Sequence, residues 1–187
     1  MKGIIFNVLE DMVVAQCGMS VWNELLEKHA PKDRVYVSAK SYAESELFSI
    51  VQDVAQRLNM PIQDVVKAFG QFLFNGLASR HTDVVDKFDD FTSLVMGIHD
   101  VIHLEVNKLY HEPSLPHING QLLPNNQIAL RYSSPRRLCF CAEGLLFGAA
   151  QHFQQKIQIS HDTCMHTGAD HCMLIIELQN DENLYFQ

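Results

Sequence analysis

The 187 residues carry a net charge of −8, from 14 Lys and Arg against 22 Asp and Glu. That balance excludes nonspecific nucleic-acid binding unless a local basic patch exists, and the one dense basic group, Arg131, Arg136 and Arg137, is small. Hydrophobic residues at 47% exclude disorder and no apolar run reaches membrane-spanning length, so a soluble, cytoplasmic domain with no nucleic-acid or membrane partner is expected.

The start, Met1-Lys2-Gly3-Ile4, leads into an apolar segment broken by Glu10 and Asp11 and lacks a signal-peptide core. Ile5, Val8, Leu9, Met12 and Val13 predict a helix over residues 2–17, stopped by Gly18. A second helix starts near Ser20, carries Trp22 and Leu25, and ends before Pro31. Residues 34–38 read as a short extended run. Leu47, Ile50, Val51 and Val54 mark a helix over about Glu44 to Leu58, and Pro61 opens the next one. That helix, with Val65, Phe69, Phe72, Leu73, Phe74 and Leu77, has little polar surface and is expected to be buried on most sides. Gly70 in its middle costs roughly 1 kcal/mol against alanine, which close packing or a flat ligand would justify.

A long helix is predicted from about Phe88 to Tyr110, with an apolar stripe from Phe91 to Leu109 and with His99 and His103 on it. Pro113 and Pro116 break it. The period then becomes strand-like: residues 118–123 and 127–134 flank the turn Pro124-Asn125-Asn126. A helix follows over about Arg137 to Gln155, in which Gly144 and Gly148 invite close backbone approach. Residues 156–164 and 172–178 form a hairpin around Thr167-Gly168-Ala169-Asp170. The fold class is therefore α+β: helices in the first two thirds, then a four-stranded antiparallel sheet with one intervening helix. The last six residues, Glu182 to Gln187, look like a purification-tag remnant and are set aside.

Two groups of residues carry chemistry. Along an extended chain Tyr132, Ser134 and Arg136 project to one face, which brings a phenol, a hydroxyl and a guanidinium to one volume. The guanidinium fork suits carboxylates. On the long helix, His103 is a core histidine, half of a zinc pair with His99 four residues away, or an axial ligand to haem iron. Haem carries two propionates, so a helical imidazole together with a Tyr/Ser/Arg anion clamp is what a haem pocket requires.

Tyr132-x-Ser134-x-Arg136, with a histidine 29 residues before the tyrosine, resembles the haem-nitric oxide/oxygen binding (H-NOX) family, related to the sensor domain of soluble guanylate cyclase. The opening Met1-Lys2-Gly3-Ile4-Ile5 and Leu115-Pro116 match it too, and the resemblance covers residues 1–180. It implies a single domain over residues 1–181, divided into a distal helical part over about 1–62 and a proximal part with the sheet over about 63–181. It implies haem b held by His103 as proximal ligand, propionates held by Tyr132, Ser134 and Arg136, and Ile5 and Pro116 pressing on the haem. Family members that hold oxygen use a distal tyrosine five residues past the arginine of the motif, and here that position is Cys141. With Leu9, Leu73 and Leu77 as the other distal residues, the pocket offers bound oxygen only a weak thiol donor. Nitric oxide and carbon monoxide, but no stable oxygen complex, are therefore the expected ligands. Tyr36, Tyr42 and Tyr110 fall outside the matching position. The resemblance further implies that nitric oxide breaks the His103–iron bond and that the resulting motion is passed to a separate signalling protein, such as a histidine kinase or a diguanylate cyclase/phosphodiesterase.

The chain has five cysteines, and Cys139, His161, Cys164 and Cys172 form a second constellation, a closed set for structural zinc. Cys141, His166 and His171 are potential substitutes within it, and Cys17 is remote. The same thiols would also serve a zinc/thiol redox module, the competing reading of the chain. An enzyme of the peroxidase kind would need a distal acid–base pair, which the apolar distal residues do not supply, so no catalysis is expected.

Overall fold

The computed structural model describes residues 1–109 and 114–179. Four helices build its first half: α1 (Gly3–Cys17), α2 (Met19–His29), α3 (Glu44–Leu58) and α4 (Ile62–Ala78). Gly18 at φ 88° lets the chain turn between α1 and α2 without steric cost. Asn59 in the left-handed conformation ends α3, and Pro61 sets the entry to α4. Phe6, Trp22, Ile50 and Phe69 meet in the helical core, one from each helix. The expected extended run at 34–38 forms no strand. Side chains anchor it instead: Tyr36 stacks on Phe6 with ring centroids 4.1 Å apart, and its hydroxyl donates to Glu46 at 3.0 Å.

The long helix predicted over Phe88 to Tyr110 is three pieces. After the short α5 (Thr82–Val85) come α6 (Phe91–Met96), a π-helical turn over Ile98–Ile102, and α7 (His103–Leu109). Asp90 moves the start past Phe88, because its carboxylate accepts from Ser93 N at 2.6 Å while Ser93 Oγ accepts from Asp90 N at 3.1 Å. Phe88 then packs its ring against Gly97, where a Cβ would collide with it. At the π turn, Ile102 N donates to Gly97 O at 3.1 Å, five residues back. One extra residue in a turn rotates everything after it by roughly 100° relative to an unbroken α-helix. Tyr110 lies outside the described residues, as do Glu112-Pro113 and the segment from Asn180 onward.

The sheet contains β1 (His117–Leu123), β2 (Gln127–Ser133), β3 (Lys156–Thr163) and β4 (Cys172–Gln179), with α8 (Cys139–His152) between β2 and β3. The order is β1-β2-β4-β3, antiparallel at every pair. Asn125 and Asn126 both take left-handed conformations in the β1–β2 turn, which asparagine tolerates. One face of the central strands is buried: Ile128, Leu130 and Tyr132 sit opposite Ile176, Leu174 and Cys172. Against this face pack Leu146 and Ala149 of α8 and Phe91, Leu94 and Val95 of α6. The mixed α+β architecture is as expected.

Helices α4 and α8 join the halves. A Cβ on Gly70 would collide with Cys141 O, and one on Gly144 with Lys67 O, so the two backbones touch. The cost of these glycines to each helix is offset by this approach.

Candidate functional site

A cavity of about 470 Å³ lies between the helical half and the sheet half, within the range of roughly 300–1,000 Å³ typical of cofactor sites. His103, first residue of α7, lines it, as do Ile98 and Ile102 of the π turn. Burial lowers the His103 pKa, and the nearby His99 and His117 add to this, so the ring is neutral at neutral pH and keeps a lone pair for a metal. His99 lines a second, open pocket with Asp100 and His117, and its ring centroid lies 6.3 Å from that of His103.

Tyr132, Ser134 and Arg136 line the same cavity, but strand alternation does not bring them there. Strand β2 ends at Ser133, and a tight turn follows in which Ser134 Oγ accepts from Arg136 N at 3.2 Å. Arg137 has positive φ (51°), so α8 starts at Cys139 and not at the expected Arg137. Tyr132 OH accepts from Leu138 N at 3.2 Å, which leaves its proton to donate; burial pushes its pKa up to about 12 and keeps that proton in place. The Arg136 guanidinium donates through Nε to Glu44 Oε1 at 2.6 Å and through Nη1 to Ser114 O at 2.5 Å. Glu44 also lies 3.8 Å from the Met1 amino group. The hydrogen bond from Arg136 holds the Glu44 carboxyl below its usual range.

Most of the remaining wall is apolar, with Lys2, Ser41, His81, Glu105 and Ser114 as its polar members. Ile5, Leu73, Leu77, Cys141 and Pro116 line the cavity. Leu9 does not; it is buried in the helical core. Burial pushes the Cys141 thiol up to about 12, so it stays protonated. Tyr36 and Tyr42 are committed elsewhere: Tyr42 OH donates to Val35 O at 3.1 Å and accepts from Val37 N at 2.7 Å. Sequence reading missed three contributors. Phe69 precedes Leu73 by one helical turn and Leu145 follows Cys141 by one, so the helical period marks both. Glu44, the partner of Arg136, lies 92 residues away in the chain and gives no local signal.

The residues present fit a haem. A neutral imidazole faces an apolar slot, and hydroxyl and guanidinium donors stand at one end for carboxylates. Held there, haem would be bound at iron by His103 and at its propionates by Tyr132, Ser134 and Arg136.

A second cluster lies at the far side of α8. Cys139, His161, Cys164 and Cys172 place one ligand atom each within 4.8 Å of one another. Cys164 Sγ stands 3.9 Å from both Cys139 Sγ and Cys172 Sγ. Tetrahedral zinc with bonds of about 2.3 Å to sulfur separates its thiolates by about 3.8 Å. Burial works against ionisation of Cys164, but the His166 amide, the His161 ring and the neighbouring thiols outweigh it and hold the thiol below its ordinary pKa. Cys139 is shifted the other way, by burial and by its neighbours' sulfurs. Cys141, His166 and His171 stay apart: the first faces the cavity, the second meets Arg137 O at 2.8 Å, and the third pairs with Asp170.

Three solved structures resemble the chain across nearly its whole length. An H-NOX protein from S. oneidensis in the Fe(II) ligation state, a Q154A/Q155A/K156A mutant, is 98% identical with a TM-score of 0.95, covering 100% of both chains. The H103G mutant of the H-NOX domain from Shewanella oneidensis in the Fe(II)CO ligation state is 99% identical with a TM-score of 0.91, covering 97% of this chain and 100% of that one. The IWP-051-bound H-NOX from Shewanella woodyi, also in the Fe(II)CO state, is 31% identical with a TM-score of 0.84 and covers 100% of both. No curated protein matches. The Haem-NO-binding family model matches residues 2–161, and the chain belongs to that family.

Proposed function

We propose that this protein senses nitric oxide through haem b, binds carbon monoxide in the same place, and forms no stable oxygen complex. The observation that carries the reading is the wall contributed by α1, α3, α4 and α8, which brings no side-chain hydroxyl, amide or charge to the cavity. Bound oxygen develops negative charge and needs a donor; the protonated Cys141 thiol is a weak one. Two similar chains are described in an Fe(II)CO state, which supports a gas ligand here.

When bound, haem would supply an iron able to take a diatomic gas, and His103 would be the side chain tethering that iron, a tether that nitric oxide would release. The chain's part is to turn loss of that tether into motion. His103 follows the π turn directly, and Val101 N and Ile102 N share Gly97 O as acceptor at 2.9 and 3.1 Å. A register change in that turn moves α7 by about one residue's rise, roughly 1.5 Å. Ile5 of α1 and Pro116, just before β1, both line the cavity and would press on the cofactor held there. The shift between them is passed to a separate signalling protein of the histidine kinase or diguanylate cyclase/phosphodiesterase kind. The protein acts as a sensor and carries out no reaction of its own.

The test is an absorption spectrum of the ferrous protein. Nitric oxide and carbon monoxide should each shift the intense haem band, with nitric oxide moving it to the position of a haem that has lost its histidine. An oxygen complex persisting in aerated buffer would refute the selectivity. The cysteine–histidine cluster favours a second role beside this one, a structural zinc that oxidation of the thiols would expel.

A further inference from the structure

Glu143 is a buried carboxylate on α8 with partners from two other elements. Lys67 Nζ of α4 lies 2.6 Å from Oε1, and His161 Nε2 of β3 lies 3.1 Å from Oε2. The other ring nitrogen of His161, Nδ1, is buried and has no hydrogen-bond partner among the described residues. Phe140 stacks over the same ring, with centroids 5.4 Å apart and planes 20° from parallel. The ring is thus held in one orientation while half of its hydrogen-bonding capacity is left unused. A buried nitrogen in that condition calls for a ligand.

We propose that Glu143 is the positioning residue of the cysteine–histidine metal site. It keeps the proton on His161 Nε2 and so presents Nδ1 to the metal, and Lys67 holds Glu143 in turn. The inference rests on the reading of this cluster as a zinc site. An ionised carboxylate only accepts, so it fixes which nitrogen is the donor. A carboxylate behind a metal-bound imidazole also raises the ring's basicity. Charge requires the lysine: three thiolates and one divalent zinc sum to −1, and a bare carboxylate beside them would add a second buried negative charge. Lys67 cancels it. The backbone of the lysine is fixed, because its carbonyl oxygen lies against Gly144 at the α4–α8 contact. The anchor of the metal site therefore comes from the helix that also presents Leu73 and Leu77 to the haem cavity.

Zinc affinity of the full chain, measured by competition with a chromogenic chelator, tests this with Glu143→Leu and Glu143→Gln. Glu143→Leu should bind zinc about 10–100-fold more weakly than wild type. Glu143→Gln keeps an accepting oxygen and should lose less. In ¹⁵N spectra of the zinc-loaded wild type, His161 should show a metal-bound Nδ1 and a protonated Nε2. Equal affinity of wild type and both variants, or coordination through Nε2, overturns the role of Glu143 and leaves the zinc site standing. Absence of zinc binding by wild type overturns the site itself. If Glu143→Leu does not fold, Glu143→Gln decides: several-fold weaker binding supports the role, and unchanged binding refutes it.

Discussion

Gly144→Ala separates two ways of reasoning about the α4–α8 contact. From helix propensity alone the change stabilises, because alanine in a helix interior is favoured over glycine by roughly 1 kcal/mol. The structure reverses the sign. The new Cβ would collide with Lys67 O and stand 2.9 Å from both Gln71 N and Gly70 Cα. All three are backbone atoms of α4, so no side-chain rotation relieves them and the helices must part. Overpacking of this kind costs about 1–3 kcal/mol, and rigid backbone on both sides puts it at the upper end. The propensity gain offsets part of that, which leaves a net loss of about 2 kcal/mol. For a chain of this size that is a fall of about 4–8 °C in melting temperature. Gly76→Ala on the same helix is the control, since its Cβ would meet Val8 methyls at 3.0 Å and Arg80 Nη1 at 3.2 Å, side-chain contacts far looser than the backbone collision at Gly144. Its melting temperature should stay within a few degrees of wild type. A Gly144→Ala protein that melts at or above wild type would refute the claim that the two backbones are in contact.

Two further outcomes follow from charged groups. Arg136→Ala should loosen or lose haem, read as the ratio of haem to protein absorbance after gel filtration, and should not confer oxygen binding; full haem retention would show that the arginine's bonds to Glu44 and Ser114 are its whole role. Asp53 is buried and accepts from Lys28 at 2.6 Å, His29 at 2.9 Å and Arg57 at 2.6 Å, and these bonds, that from Lys28 foremost, depress its pKa well below the usual carboxylate range. A depressed carboxylate adds stability that is present above its unfolded pKa of about 3.9 and is lost as pH falls toward the folded value. Asp53→Asn should therefore cost about 2 kcal/mol at neutral pH, since Lys28 and Arg57 are partly exposed and regain water. The difference from wild type, measured by urea unfolding, should narrow below about pH 4. An unchanged difference from pH 7 to pH 3 would contradict the assignment.

What the sequence revealed divides along physical lines. Local signals were legible: the helical stripe of α4, the Pro124-Asn125-Asn126 turn, the strand alternation of β2 and β4, and the spacing that put His103 with Tyr132, Ser134 and Arg136. Signals that depend on a third element were not. The stripe from Phe91 to Leu109 reads as one helix because periodicity does not detect one inserted residue; a capping box at Asp90 sets the start of α6, and the π turn begins just after Gly97, against which Phe88 packs. Leu9 has the same apolar character as Leu73, and only packing decides that one is in the core and the other lines the cavity. Arg136 reaches the cavity by a turn that strand alternation does not describe.

The same limit applies to the two sites taken together. In the sequence the haem residues and the cysteine–histidine set look independent, one organised around the helical half and the sheet edge, the other around a hairpin. The fold gives them a shared support. Helix α8 presents Cys141 and Leu145 to the cavity, while its Cys139 and Glu143 face the cluster. Helix α4 does the same with Leu73 on one side and Lys67 on the other. Because glycines bring these helices to backbone contact, neither can shift without carrying both sets of residues with it. The glycines that lower each helix's own stability are therefore what ties the cluster and the apolar wall of the cavity to one support.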